Sequence, residues 1–170
     1  MESDILRKAY DALKKAALNE EAKNFILQNE QLFSVLKRAA NRYIGGEILE
    51  EAIISIKNLN ESGFVVTTDF MGESIRNEKE ANMATEEFVK LAQNIRANSL
   101  NSSISLDLSH IGLLVSKDLT IYNLRTICDE AQKANQEVII SMEGTDRTDP
   151  IIDIYTETLK MNKNLGITLQ

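Results

Sequence analysis

Four strand-like segments, each separated from the next by a helical stretch, restrict this chain to an α/β fold with a parallel sheet. Phe64–Phe70, Ser103–Ser109, Glu137–Met142 and Leu165–Gln170 each read as a strand. Strands joined by connections this long do not pair as hairpins, and a helix bridging two neighbours leaves them parallel. The last segment closes the chain, so the strand–helix plan is expected to stop partway through a fold.

The connecting stretches carry helical periodicity. Ala81, Met83, Ala84, Phe88, Leu91, Ala92 and Ile95 supply a core stripe after the first strand, and Ile121, Leu124, Ile127, Cys128 and Ala131 one after the second. A third helix begins near Pro150, since proline is tolerated in a first turn. Ahead of the first strand, a helix from about Glu47 to Leu59 presents Leu49, Ala52, Ile53 and Ile56, with Gly63 placed to cap its end. Residues 1–45 are expected to form a separate helical arm. Leu6, Ala9, Tyr10, Leu13 and Ala17 recur at helical spacing there, as do Phe25, Leu32, Phe33, Leu36 and Ala40. Gly45-Gly46 divides that arm from a β/α region over 46–170.

The 170 residues suffice for one sizeable core, and 43% hydrophobic with 26% charged residues is ordinary for a soluble protein. A formal net charge of −7 opposes nonspecific nucleic-acid binding, which needs a basic surface. Cys128 is the single cysteine and His110 the single histidine, so neither an internal disulfide nor a transition-metal site is expected. The opening Met1-Glu2-Ser3-Asp4 lacks the basic start of a signal peptide, and no run reaches the ~18 apolar residues of a membrane span. A reducing cytoplasm is the expected compartment.

Two features favour a barrel over an open doubly wound sheet. No glycine-rich phosphate loop follows any strand. Alternate strand positions are polar: Ser105, Asp107 and Ser109 on the second, Ser141 on the third, Thr168 and Gln170 on the fourth. Strands covered on both faces read as near-continuous apolar runs, whereas a barrel with a site at its strand ends accepts polar residues on one face.

Taken in order, four motifs resemble the bacterial proline dehydrogenase family. They are Gly63-Phe64 through Thr68-Asp69-Phe70-Met71-Gly72-Glu73-Ser74, Ile104 through Ser109, Ile140-Ser141-Met142-Glu143-Gly144-Thr145, and Gly166 through Gln170. The match runs from about Arg42 to the end, and the helical arm also suits the family. The resemblance implies an FAD-dependent (β/α)8 TIM-type barrel that oxidises L-proline to pyrroline-5-carboxylate, passing a hydride to the flavin. This chain would hold its first half, about four strand–helix units. The family's flavin-binding arginine and its paired arginines for the substrate carboxylate would then lie beyond Gln170. Met142, Thr168 and Gln170 match flavin-contacting positions. Two catalytic positions depart from the family: Asp107 stands where it carries a lysine, and Ser141 where it carries an aspartate.

At an effective dielectric of ~20, unit charges ~4 Å apart interact by roughly 4 kcal/mol. Asp107 would therefore oppose the substrate carboxylate that a lysine attracts, and proline oxidation by this chain alone is expected to be lost. Three readings of Asp107 stay open: a solvated strand-end acid or a cavity residue in a decayed copy, a pocket for a cationic ligand, or a register one or two residues away. Ser141 reads as a hydrogen-bonded hydroxyl and His110 as a brace for the turn after the second strand. Asp69 with Glu73, and Glu143 with Asp146, read as capping and loop carboxylates, with a paired-carboxylate acid–base role as the alternative. Two other functions are compatible with the sequence. One is a non-catalytic half-barrel that self-associates or pairs with a separate second half, since four strands leave two open edges. The other is a complete open α/β binding domain.

Overall fold

The computed structural model describes residues 2–17 and 19–169, which divide into two compact units, Met1–Glu47 and Ile48–Gln170. The first holds α1 (Glu2–Ala17), α2 (Glu20–Gln28) and α3 (Glu30–Ala40). Asn19 caps α2 by accepting from the Glu21 and Ala22 amides, and Asn29 caps α3 through Leu32. The expected apolar stripes do not become a core within this unit. No residue of α2 or α3 is buried, and Phe25 is 62% exposed, with Leu6, Tyr10, Phe33 and Leu36 also exposed. Helices of 9 and 11 residues offer too little apolar surface to enclose one another. The side chains of Ala9, Leu13 and Ala17 lie outside those described.

The second unit is a repeating α/β arrangement. It runs α4 (Leu49–Glu61), β1 (Val66–Asp69), α5 (Glu78–Ala97), β2 (Ser102–Leu106), α6 (Lys117–Gln132), β3 (Val138–Ile140), α7 (Thr148–Thr158) and β4 (Leu165–Ile167). The strands lie in the order β1-β2-β3-β4, and every neighbouring pair is parallel. Each strand is shorter than its sequence segment. Leu108–His110 turns into a 3-10 helix rather than extending β2, for example. Gly63 ends α4 with a φ of +87°, the left-handed conformation glycine adopts at no steric cost.

The strands sort their residues by face. Ile104, Leu106, Val138, Ile140 and Leu165 are buried against Phe88, Leu91, Ile95, Leu124, Ile127, Ile151 and Ile154 of the helices. Ser103, Ser105 and Ile139, which alternate with them, stay only half-buried on the opposite face. That face is small and hydroxylated: Thr67 bonds Ser103 at 2.9 Å, and Ser105 bonds Ser141 at 2.9 Å. Of the expected α5 stripe only Met83 fails to enter the core. It is 56% exposed, and Thr85 takes a buried place with its hydroxyl donating to the Ala81 carbonyl.

Phe88 is fully buried and meets the rings of Phe70 and His110 edge-on at 5.8 and 5.7 Å. Replacing Phe88 with alanine is expected to cost about 3 to 5 kcal/mol, read as a lower urea midpoint at unchanged slope.

Candidate functional site at the strand ends

The residues singled out from the sequence converge on one end of the sheet because the strands are parallel and in register. Leu106 pairs with Ile140, and Ile140 with Ile167, so Asp107, Ser141 and Thr168 follow as the next residue of each strand. The ladder continues into them: the Ser141 amide donates to the Leu106 carbonyl and the Thr168 amide to the Ile140 carbonyl, both at 2.9 Å. Met142 joins through its amide, which donates to Thr168 Oγ1 at 3.1 Å. Gln170 lies outside the described residues.

Asp69, the last residue of β1, faces Asp107 across this end. Loss of hydration among surrounding chain atoms raises the Asp69 carboxyl to about 6, and the Asp107 charge adds to the rise. Asp107 is also pushed up to about 6. Desolvation leads, the Glu143 and Glu73 charges reinforce it, and Arg147 pulls the other way. Ser141 behaves as a hydrogen-bonded hydroxyl through its contact with Ser105.

Behind this row, Glu143 accepts from the Ser109 amide at 2.9 Å and from Arg147 Nη1 at 2.6 Å. Its side chain is only 5% exposed, so it is a loop carboxylate held in the interior. Helix α5 is capped by Asn77, whose side chain accepts from the Glu80 amide, so this cap does not fall to Asp69 or Glu73. His110 is buried and stacks on Phe70 at 5.1 Å, bracing the first loop as well as its own turn. A Cβ on Gly72 would collide with its imidazole, which is why the chain can pass so close there. Burial lowers the His110 pKa, against a smaller pull from the Phe70 backbone, so the ring is neutral at pH 7. Arg147 is a participant that the sequence does not single out, and Ser109, a polar strand-end position in the sequence, is buried in the turn. The i,i+4 spacing of Glu143 and Arg147 is a visible signal for one contact, but nothing local predicts that Ser109 joins them.

A family model for proline dehydrogenase matches residues 52–170. The chain belongs to the proline dehydrogenase family. Proline dehydrogenase 1 of Bacillus subtilis strain 168 is 35% identical over 151 residues, covering 86% of this chain and 50% of that protein. Proline dehydrogenase 2 of the same strain is 33% identical over 132 residues, covering 78% of this chain and 44% of that protein. The chain thus spans about half the length of the curated relatives it matches. The crystal structure of proline utilization A from Bdellovibrio bacteriovorus, inactivated by N-propargylglycine, superposes with a TM-score of 0.72 at 17% identity. It covers 82% of this chain and 18% of that one, and establishes likeness of fold. Among the described residues, no helix is long and apolar enough to cross a membrane.

Carboxyls held above their unfolded value of 3.8 bind protons more readily in the folded state. Stability should therefore rise as pH falls from about 6 toward 3.8, and be lower above that window. Replacing Asp107 with asparagine is expected to stabilise the chain at pH 7 by roughly 1 kcal/mol, after discounting for solvent screening. The same change should flatten that part of the pH–stability curve, as followed by thermal denaturation across the range.

Proposed function

We propose that the chain is the front half of a proline dehydrogenase-type (β/α)8 barrel, with a helical arm over 1–45 and a partial barrel over 46–170. In this reading it acts in the cytoplasm within the family reaction, the oxidation of L-proline with hydride transfer to FAD. Asp107 and Ser141 occupy the catalytic positions, Met142, Thr168 and Gln170 face the flavin, and a further polypeptide segment supplies the remaining strands. Family membership over 52–170 and four parallel strands in sequential order support it.

We further propose that this half does not sustain the reaction by itself, and the charge at the strand ends is the observation that carries this. FAD brings a diphosphate, and the residues gathered here do not fit one. Asp69, Glu73, Asp107 and Glu143 interact at this end. The cation acting on Asp107 is Arg147, which is already held by Glu143 at 2.6 Å and by Ser74 at 3.2 Å. Anions entering this end meet carboxylates before they meet a cation that is free to turn. A substrate carboxylate is opposed by Asp107 in the same way.

The bare sheet face and the two open edges, β1 and β4, favour a second reading: a non-catalytic half-barrel that self-associates or pairs with a separate second half. The purified chain is expected to be colourless and to show no proline-dependent dye reduction. A yellow protein that reduces the dye with proline would sink the proposed lack of autonomous activity. Light scattering on the same sample tests the self-association in the second reading, which a stable monomer would contradict.

A further inference from the structure

We infer that Glu143 and Arg147 are positioning residues of the strand-end site, locking the loops after β1, β2 and β3 into one unit through Ser74 and Ser109. The contacts form a closed circuit. The Ser109 amide donates to Glu143 Oε1 at 2.9 Å, and Arg147 Nη1 donates to Glu143 Oε2 at 2.6 Å. Arg147 Nη2 then donates to Ser74 Oγ at 3.2 Å, and the Ser74 amide donates to Ser109 Oγ at 3.0 Å. A parallel bond from the Ile75 amide to the Ser109 carbonyl, also 3.0 Å, doubles the last link.

Burial gives this circuit its stiffness. Ser109 is fully buried, and the Glu143 and Arg147 side chains are 5% and 21% exposed. A carboxylate that deep is tolerated only when its charge is paired and its oxygens are hydrogen-bonded, and here both oxygens have donors. The planar guanidinium fork lets one side chain grip two loops at once, which a single ammonium does not reproduce. Ser74 sits at φ +58°, in the left-handed region where a non-glycine residue persists only if its surroundings hold it.

The circuit is attached just downstream of the site residues. Ser74 follows Asp69 on the first loop, Ser109 follows Asp107 on the second, and Glu143 follows Ser141 on the third. Fixing those three anchors fixes where the strand-end groups point relative to one another. The same pair also sets the charge balance at Asp107, which feels Glu143 and Glu73 on one side and Arg147 on the other. That this end hosts the family reaction rests on the function proposed above; the linkage of the three loops does not.

Two variants of the isotopically labelled chain separate geometry from charge, with amide exchange and the Asp107 titration as readouts. Glu143→Gln keeps an acceptor for Ser109 but removes the charge. The amides of Ser74, Ile75 and Ser109 should exchange faster together, by about tenfold or more, and the Asp107 midpoint should fall. Arg147→Lys keeps the charge and loses the fork, so the same amides should quicken while the midpoint holds. The inference is overturned if Ser109 alone responds to Glu143→Gln. It is also overturned if the sheet amides of Ile104 and Ser141 quicken as much as the loop amides in both variants, because the pair would then serve only global stability. Failure to bind flavin or proline would count against the proposed function and leave the exchange result standing.

Discussion

Parallel pairing of consecutive strands is the constraint on which the second unit of this protein depends. Each crossover must carry the chain back along the sheet, and each does so through a helix. With the strands in the order β1-β2-β3-β4 and no reversal, successive crossovers of the same hand stack their helices on one face. Phe88, Ile95, Leu124, Ile127, Ile151 and Ile154 therefore bury one set of strand residues and leave the alternate set uncovered. The alternate set includes Ile139 and four small residues, Thr67, Ser103, Ser105 and Ser141, which pair through hydroxyl hydrogen bonds.

The same parallelism brings every strand's C-terminal end to one edge of the unit. Asp69 pairs with Ser105, two residues before Asp107, so the Asp107 charge acts on Asp69 as a product of the register. A few residues further on, burial reverses the balance: Glu143, Arg147, Ser74 and Ser109 satisfy each other's charges and hydrogen bonds. The end of the sheet thus has a strained outer row of acids above a satisfied inner ring.

Much of the architecture was legible in the chain. Periodicity located the four strands and their helices, and Gly63 and Pro150 were placed correctly as a helix end and a first-turn residue, because these are local preferences. The motifs that carried the family resemblance are the strand ends and their following turns, which is why family membership was readable from a few residues in each. The errors were of a different kind. The second strand is shorter than its segment because Leu108-Ser109 continues the apolar–polar alternation, yet the chain turns there and buries His110 against Phe70. In the arm the apolar stripes stay exposed on α2 and α3, because periodicity reports which residues share a face and not whether anything covers that face.

What the sequence determined by itself was the alternation of elements, the parallel sheet and the set of residues that would stand near the strand ends, since each follows from local spacing. What only the tertiary structure decided was how those residues act on one another. Asp69 and Asp107 are 38 residues apart in the chain, and Ser74 lies 73 residues from Arg147, so their coupling exists only once the sheet register has been formed. Register, burial and loop closure convert ordinary carboxylates and serines into a repelling pair and a locked ring, and those are properties of distance in space.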